Sequence, residues 1–314
     1  LNGDGYSDVI VGAHTYDAGQ TSEGAVFVFH GGPGGIASGN VATANATLQS
    51  NVNQMQFGQS VAGAGDVNGD GYADIIVGTS LFTDGQQFEG AAFIFHGSPA
   101  GITATSPATA NAILQSDQFQ ARLGLSVAGA GDVNGDGFGD VIVGADAFDA
   151  GQVDEGAAFV FYGSGTGVAS GGPTTANSTI QSDQTFAFIG RSVAGAGDVN
   201  GDGYSDVIVG AFRYFTGLES GGSAFVFHGG PSGIVGGTPM EADSTLESDR
   251  EFAWFGFDVA GAGNVNGDGY ADVIVGAAYY DGAFEDEGAA FIFHGSSAGI
   301  LSGSALDADT TVVS

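Results

Sequence analysis

The chain has 314 residues, with 36 Asp and Glu against four Lys and Arg, a net charge of −32 and no cysteine. Nucleic acid is excluded as a partner because no basic patch exists to neutralise phosphates, and disulfides are excluded outright. No apolar run approaches membrane-spanning length, so direct membrane insertion is not expected, while a hydrophobic content of 43% leaves ample material for a core.

The chain opens inside Leu1-Asn2-Gly3-Asp4-Gly5-Tyr6-Ser7-Asp8, and the complete form of this stretch is Asp66-Val67-Asn68-Gly69-Asp70-Gly71-Tyr72-Ala73-Asp74. It returns as Asp132 to Asp140, Asp198 to Asp206 and Asn264 to Asp272, each copy 66 residues after the last. A fixed period of that length signals a repeat architecture. The reading is a single domain over 1–314, with units 1–50, 51–116, 117–182, 183–248 and 249–314. Because the first motif lacks its opening Asp, the chain reads as a processed or excised piece of a longer one.

One repeat, taken from Phe57, predicts four strands. Strand A covers Phe57 to Gly65, whose small residues suit close packing between neighbouring sheets. Strand B is Ala73 to Gly78, a continuous apolar run of the kind that is buried on both faces. Strand C is Gly90 to Gly97, with alternating large residues. After a Gly, Pro and Ser-rich stretch comes a more polar strand D, Asn111 to Ser116. Four short strands per unit, repeated, describe an all-β propeller of four-stranded antiparallel blades, with five units visible and the first lacking its strand A.

Between strands A and B, oxygen ligands fall at positions 1, 3, 5 and 9 of the motif, with glycine at 6, a pattern that suits a hard cation taking six to eight oxygens. Position 12 is Val77 within a β-branched run, so no helix brings the bidentate Glu of an EF-hand, and Asp74 closes the cage. A single such stretch could be only a polar hairpin turn, since Asn-Gly and Asp-Gly favour turns whatever binds there. Five copies in phase, each packing mutually repelling carboxylates into one loop, argue for calcium, about one ion per loop and up to five. The ligands are Asn2, Asp4, Tyr6 and Asp8; Asp66, Asn68, Asp70, Tyr72 and Asp74; Asp132, Asn134, Asp136, Phe138 and Asp140; Asp198, Asn200, Asp202, Tyr204 and Asp206; and Asn264, Asn266, Asp268, Tyr270 and Asp272. Tyr and Phe at position 7 offer their backbone carbonyls. Five divalent ions would bring the formal charge from −32 to −22, making calcium a folding ligand as well as a bound one. Calcium sites of modest affinity suit the calcium-rich exterior, so the chain reads as secreted or cell-surface.

The pairs Phe57-Gly58, Leu123-Gly124, Ile189-Gly190 and Phe255-Gly256, the oxygen-rich loops, and runs such as Val143-Gly144-Ala145 and Val209-Gly210-Ala211 together resemble the FG-GAP repeats of the integrin alpha-subunit β-propeller. The resemblance covers essentially the whole chain. It implies calcium in the A-to-B loops on one face, and ligands met on the opposite face through the D-to-A and B-to-C loops. It departs where two of the four pairs carry Leu or Ile and where the Pro that often ends the signature is absent. Propellers of that family look seven-bladed, whereas five periods of 66 would need 330 residues; the shortfall of sixteen corresponds to one strand A. Three arrangements satisfy this count: a five-bladed ring with one three-stranded blade, a window of a larger propeller, or an assembly in which a neighbour supplies the strand, giving self-association through an unpaired edge.

The B-to-C and D-to-A loops vary between copies and hold three of the four arginines and the only tryptophan. Arg122, Phe148, Arg213, Tyr214, Arg250, Trp254, Tyr279 and Tyr280 are therefore the candidate contacts for a protein or carbohydrate partner, since aromatic and Arg anchors dominate such contacts. The competing reading is that the aromatics plug gaps between blades. His30, His96, His228 and His294 share one repeat position a full unit apart, no Ser and His recur with an orienting Asp, and paired carboxylates occur only in the metal loops, so no catalytic residue is assigned. The function expected is an extracellular, calcium-binding recognition or adhesion module; the alternatives are a structural subunit of a surface fibre, or a propeller accessory to a secreted hydrolase.

Overall fold

A computed structural model of the chain describes residues 1–313; Ser314, the last residue of the predicted fifth repeat, lies outside the described residues. The fold is all-β and propeller-like: five sheets of three to five strands, joined by loops and single 3-10 turns. By contact density the chain divides into two compact bodies. One comprises Leu1–Gly129, Gly137–Val141 and Phe161–Thr175; the other comprises Ala130–Asp136, Ile142–Val160 and the chain from Ala176 onward.

In the first body, Val9–Ala13, Ala25–Phe29 and Ala46–Gln49 form a three-stranded sheet, and Ser60–Gly65, Asp74–Thr79, Ala91–Phe95 and Ala112–Gln115 form a four-stranded one in simple up-and-down order. The first repeat thus lacks strand A, as expected. In the second body, Val193–Gly197, Asp206–Ala211, Ser223–Phe227 and Ser244–Glu247 follow the same order, as do Phe255–Gly263, Asp272–Ala277, Ala289–Phe293 and Thr310–Val313. The strands of the third repeat are Ser126–Gly131, Asp140–Ala145, Ala157–Phe161 and Ser178–Gln181.

In the second to fifth repeats strand B lies inside its sheet, which is why its sequence is apolar throughout and not alternating, whereas in the first repeat Val9–Ala13 is the sheet edge. All six residues of Asp74–Thr79 are buried, with Ile75 opposite Phe95 and Val77 opposite Phe93. One core gathers Val26, Leu48, Phe57, Ile75, Val77, Phe93 and Phe95; the second body has its own around Val226, Leu246, Phe255, Val275 and Phe291.

Successive repeats are stitched by the Phe-Gly pairs. Phe57 is fully buried and its N–H donates to the Glu23 carbonyl at 3.1 Å; Leu123 does the same to Glu89 at 3.0 Å. In the second body Ile189 donates to Glu155 at 3.0 Å and Phe255 to Gly221 at 2.9 Å. Gly58 then turns with φ +83° and brings its carbonyl so close to Gly12 that a Cβ there would lie 2.2 Å away. In the second repeat strand A begins at Ser60, after the Phe-Gly pair, whereas in the fifth Phe255 bonds to the previous repeat and also pairs with Ala277 in its own ladder.

The outer strand D is also covered from the next repeat. Gln115 N–H donates to the Gly171 carbonyl at 2.9 Å and Gly171 N–H returns to Ile113 at 3.0 Å. Gly237 makes the same exchange with Gln181 and Thr179, and Gly303–Ser304 forms a short parallel strand beside Leu246 and Glu247. The 3-10 turns before strand D, such as Pro107–Thr109 and Pro239–Glu241, begin with Pro at a position where the N–H is not needed.

Candidate calcium loops and the aromatic loop face

Each A-to-B hairpin is drawn together by its own side chains. Asp66 accepts from the N–H of Asp70 at 3.1 Å through one oxygen and from Gly71 at 2.8 Å through the other. The Asn68 side-chain oxygen accepts from the same Asp70 N–H at 2.9 Å, and Asp70 accepts from Tyr72 at 3.0 Å. Positions 1, 3 and 5 therefore crowd around one amide. Asp198, Asn200 and Asp202 repeat the pattern, with Asp202 N–H at 3.1 and 2.9 Å from the two acceptors. Asp136 N–H lies at 3.1 Å from Asp132 and 2.9 Å from Asn134; Asp268 N–H lies at 3.1 Å from Asn264 and 3.0 Å from Asn266. In the first copy Asn2 accepts from Asp4, and Asp4 from Tyr6.

Position 9 sits beneath the loop. Asp74, Asp140, Asp206 and Asp272 are fully buried. Asp74 accepts from Val67 N–H at 2.9 Å and from Gly97 N–H at 2.7 Å, pinning the hairpin to the end of strand C. Asp206 does so with Val199 and Gly229, Asp272 with Val265 and Gly295; Asp140 accepts from Gly163, and Asp8 from Gly31. Burial raises Asp74, and pushes Asp206 up to about 6, against the lowering effect of those backbone donors.

The donor set is carboxylate, amide and carbonyl oxygen, the set that calcium selects, and each position-9 oxygen retains a lone pair beyond its backbone bond. Among the described residues no three His, Cys, Asp or Glu side chains already form a cage. Positions 1, 3 and 5 converge on one backbone amide, with position 9 anchoring the loop from below.

The aromatic at position 7 has a second role that the sequence reading did not assign. Its ring covers the position-4 glycine of the preceding loop: Tyr72 over Gly3, Phe138 over Gly69, Tyr204 over Gly135 and Tyr270 over Gly201. Neighbouring loops are also joined backbone to backbone, by Gly139 N–H to Asp66 at 2.8 Å and Ala271 N–H to Asp198 at 2.9 Å.

The variable-loop candidates divide into two groups. Phe148, Tyr214 and Tyr280 hold one repeat position and each stands edge-on against the strand-C phenylalanine of its own repeat, Phe159, Phe225 and Phe291, with centroids 5.3, 5.2 and 5.0 Å apart. They wedge the B-to-C loop onto its sheet. Trp254 and Tyr279 instead belong to a continuous run of rings. Phe186 meets Phe188, Phe188 stacks on Phe212 at 5.5 Å, Phe212 meets Trp254 at 5.1 Å, and Trp254 meets Tyr279 at 4.6 Å. Arg213 lies 5.9 Å over Phe188, and Arg191 4.9 Å over Phe257, which packs on both Phe212 and Trp254. Phe186 and Tyr279 expose 48% and 42% of their surface at the two ends, so the run is open to solvent. Arg250 pairs with Asp249 at 3.5 Å and lies over Tyr280, and Arg122 is half-buried in the D-to-A loop of the second repeat.

Sequence reasoning missed a buried glutamate. Glu23, Glu89 and Glu155 lie at one repeat position, at most 1% exposed, and their carboxylates accept loop N–H groups: Glu23 from Ala18 at 2.6 Å, Glu89 from Asp84 and Gln86, Glu155 from Ala150 at 2.7 Å and Gln152 at 2.8 Å. The 66-residue spacing was the available signal, and the charge disguised it as surface. The repeated histidines sit at strand ends, where the His96 N–H donates to Asn111 and that of His228 to Asp243.

The FG-GAP repeat matches residues 1–29, 57–95, 123–161, 189–227 and 255–293; the last four segments run from the Phe-Gly position through strand C, and the first from the A-to-B loop through strand C. The chain belongs to the FG-GAP repeat family. It is 34% identical to integrin alpha-5 of Xenopus laevis over 257 residues, covering 77% of this chain and 23% of that protein. It is 31% identical to integrin alpha pat-2 of Caenorhabditis briggsae over 68% of the chain and 17% of that protein, and 29% identical to the phosphatidylinositol-glycan-specific phospholipase D of Rattus norvegicus over 77% and 29%. The chain thus spans under a third of the length of these relatives. Among the described residues no helix is long and apolar enough to cross a membrane.

Proposed function

We propose that this FG-GAP chain is an extracellular, calcium-stabilised recognition module, secreted or displayed at a cell surface, that binds a protein or carbohydrate through its aromatic loop face. One observation carries the reading: the unbroken ring-to-ring run from Phe186 to Tyr279, open to solvent and flanked by Arg213 and Arg191. A run of aromatics with guanidinium groups beside them offers flat, rigid contact area with a polar handle, the composition of binding hot spots. Calcium, one ion per hairpin, is the proposed cofactor, held by positions 1, 3 and 5 with the position-7 carbonyl and the position-9 carboxylate completing the set. Its chemistry here is charge neutralisation and loop fixation, with no catalytic role. The open edge of Val9–Ala13 is a proposed place of self-association.

The test is a screen of the intact chain against arrayed glycans and immobilised extracellular proteins, with and without chelator. W254A combined with R213A should abolish any calcium-dependent hit while thermal unfolding stays cooperative; a hit retained by the double variant would remove the aromatic face as the contact. The phospholipase relative favours a second reading, a repeat region accessory to a hydrolase. A hydrolase domain on the same polypeptide, with no glycan or protein hit, would favour that one.

A further inference from the structure

We propose that the aromatic loop face takes an acidic peptide segment: a short run of apolar side chains with a carboxylate at each end. The inference deepens the recognition reading and rests on it, since it uses the same rings and names the class of partner.

Four Lys and Arg stand against 36 Asp and Glu, and three of the four, Arg191, Arg213 and Arg250, lie in the second body. Arg250 is paired with Asp249. In so acidic a chain the other two should find carboxylates with ease, yet among the described residues neither Arg191 nor Arg213 makes an ion pair or a side-chain hydrogen bond. Each guanidinium instead lies over a ring, Arg191 at 4.9 Å over Phe257 and Arg213 at 5.9 Å over Phe188. Stacking holds the guanidinium plane and leaves its fork of N–H donors for the two oxygens of a carboxylate. A phosphate group takes a cluster of arginines. These two are separated by three rings, Phe188, Phe212 and Phe257, so each meets a carboxylate of its own.

The rings decide between a peptide and an acidic sugar. Phe188 stacks on Phe212 and Trp254 on Phe257, both at 24°, and the two guanidinium groups cover further ring face. A pyranose packs on an open ring face, whereas these faces are occupied by one another. Ring edges remain, and edge-on packing suits aliphatic and aromatic side chains. Elsewhere the net charge of −32 repels an acidic segment, so the same two arginines also fix where it lands.

The experiment probes a peptide array with the intact chain in calcium. The peptides carry two Glu flanking a run of up to about six Leu and Phe residues, the reach of an extended chain across the rings, each beside a Gln-flanked counterpart. An oligogalacturonate serves as the acidic sugar. The strongest Glu-flanked peptide is then titrated, with Trp254, the single tryptophan, reporting by fluorescence from its contact with Phe212, and calorimetry as a second readout. Glu-flanked peptides should bind and Gln-flanked ones should not. R191Q and R213Q should each weaken binding about tenfold, and the double variant should abolish it. The proposal falls if no peptide in the array binds, if the Gln-flanked peptides bind equally, or if the arginine variants bind as the parent does. It also falls if the oligogalacturonate alone binds, which would keep the aromatic face and change the class of partner. W254A, read by calorimetry, separates the two levels: a partner lost in W254A but indifferent to R191Q and R213Q ends this proposal and leaves the recognition reading standing, whereas a partner unaffected by W254A ends both.

Discussion

The ring of Phe138 lies on Gly69: a Cβ built on that glycine would come within 2.6 Å of the ring edge. The same pairing joins Tyr270 to Gly201, so the position-7 residue of one hairpin also clamps the hairpin before it. Gly69 and Gly201 also carry φ of +70° and +75°.

G201A should therefore cost both backbone strain and displacement of the Tyr270 ring. Gly267, at the same position in the fifth repeat, has φ +79° and nothing within 4 Å of its Cβ. G267A pays strain alone, about 1 kcal/mol, and G201A should exceed it by about 1–3 kcal/mol in urea unfolding. Equal losses would show that the ring carries no weight.

Calcium removal should lower the unfolding temperature. A ligand at one hundred times its dissociation constant adds about 2.7 kcal/mol per site, so several occupied hairpins make a shift of many degrees. Differential scanning calorimetry in calcium and in chelator measures it. Identical melts in the two would end the calcium assignment.

Y280A should destabilise by about 3 kcal/mol, since Tyr280 is only 7% exposed and stands edge-on against Phe291. Ligand binding by the fraction that remains folded should be unchanged, whereas W254A should show the reverse. Guanidinium unfolding paired with the array screen separates the two roles.

Glu89 supplies a pH dependence. Burial raises its carboxyl above the ordinary value of 4.5, against the N–H donors of Asp84 and Gln86. The folded chain then holds the proton more tightly than the unfolded one. The contribution is fully present below 4.5 and is lost as pH rises through the folded value. The fall in stability from pH 4 towards 7 should be less steep in E89Q, read by urea midpoints at each pH; parallel slopes would refute it.

The period, the strand order and the oxygen-rich hairpins were legible because each is a local pattern written five times. Ile75 to Val77 read as a doubly buried strand without any knowledge of what covers it, because apolar continuity is itself the signal. What stayed illegible depends on the neighbouring repeat. Phe57 looked like the start of a strand, since nothing local says that its N–H is spent on Glu23. Phe148, Tyr214 and Tyr280 looked like contact residues for the same reason that core aromatics do, large rings in variable loops, and only the position of Phe159, Phe225 and Phe291 separates a wedge from an anchor. Glu89 looked like solvent-facing charge because the amides that receive it belong to a loop with no sequence signature.

The stitching described above has a direction. A repeat gives its Phe-Gly pair backward and its outer strand takes backbone from the repeat ahead, so loss of any one repeat uncovers the one before it at two places. Unravelling is then contagious toward the amino terminus, and a polymer of such units would resist pulling unequally from its two ends.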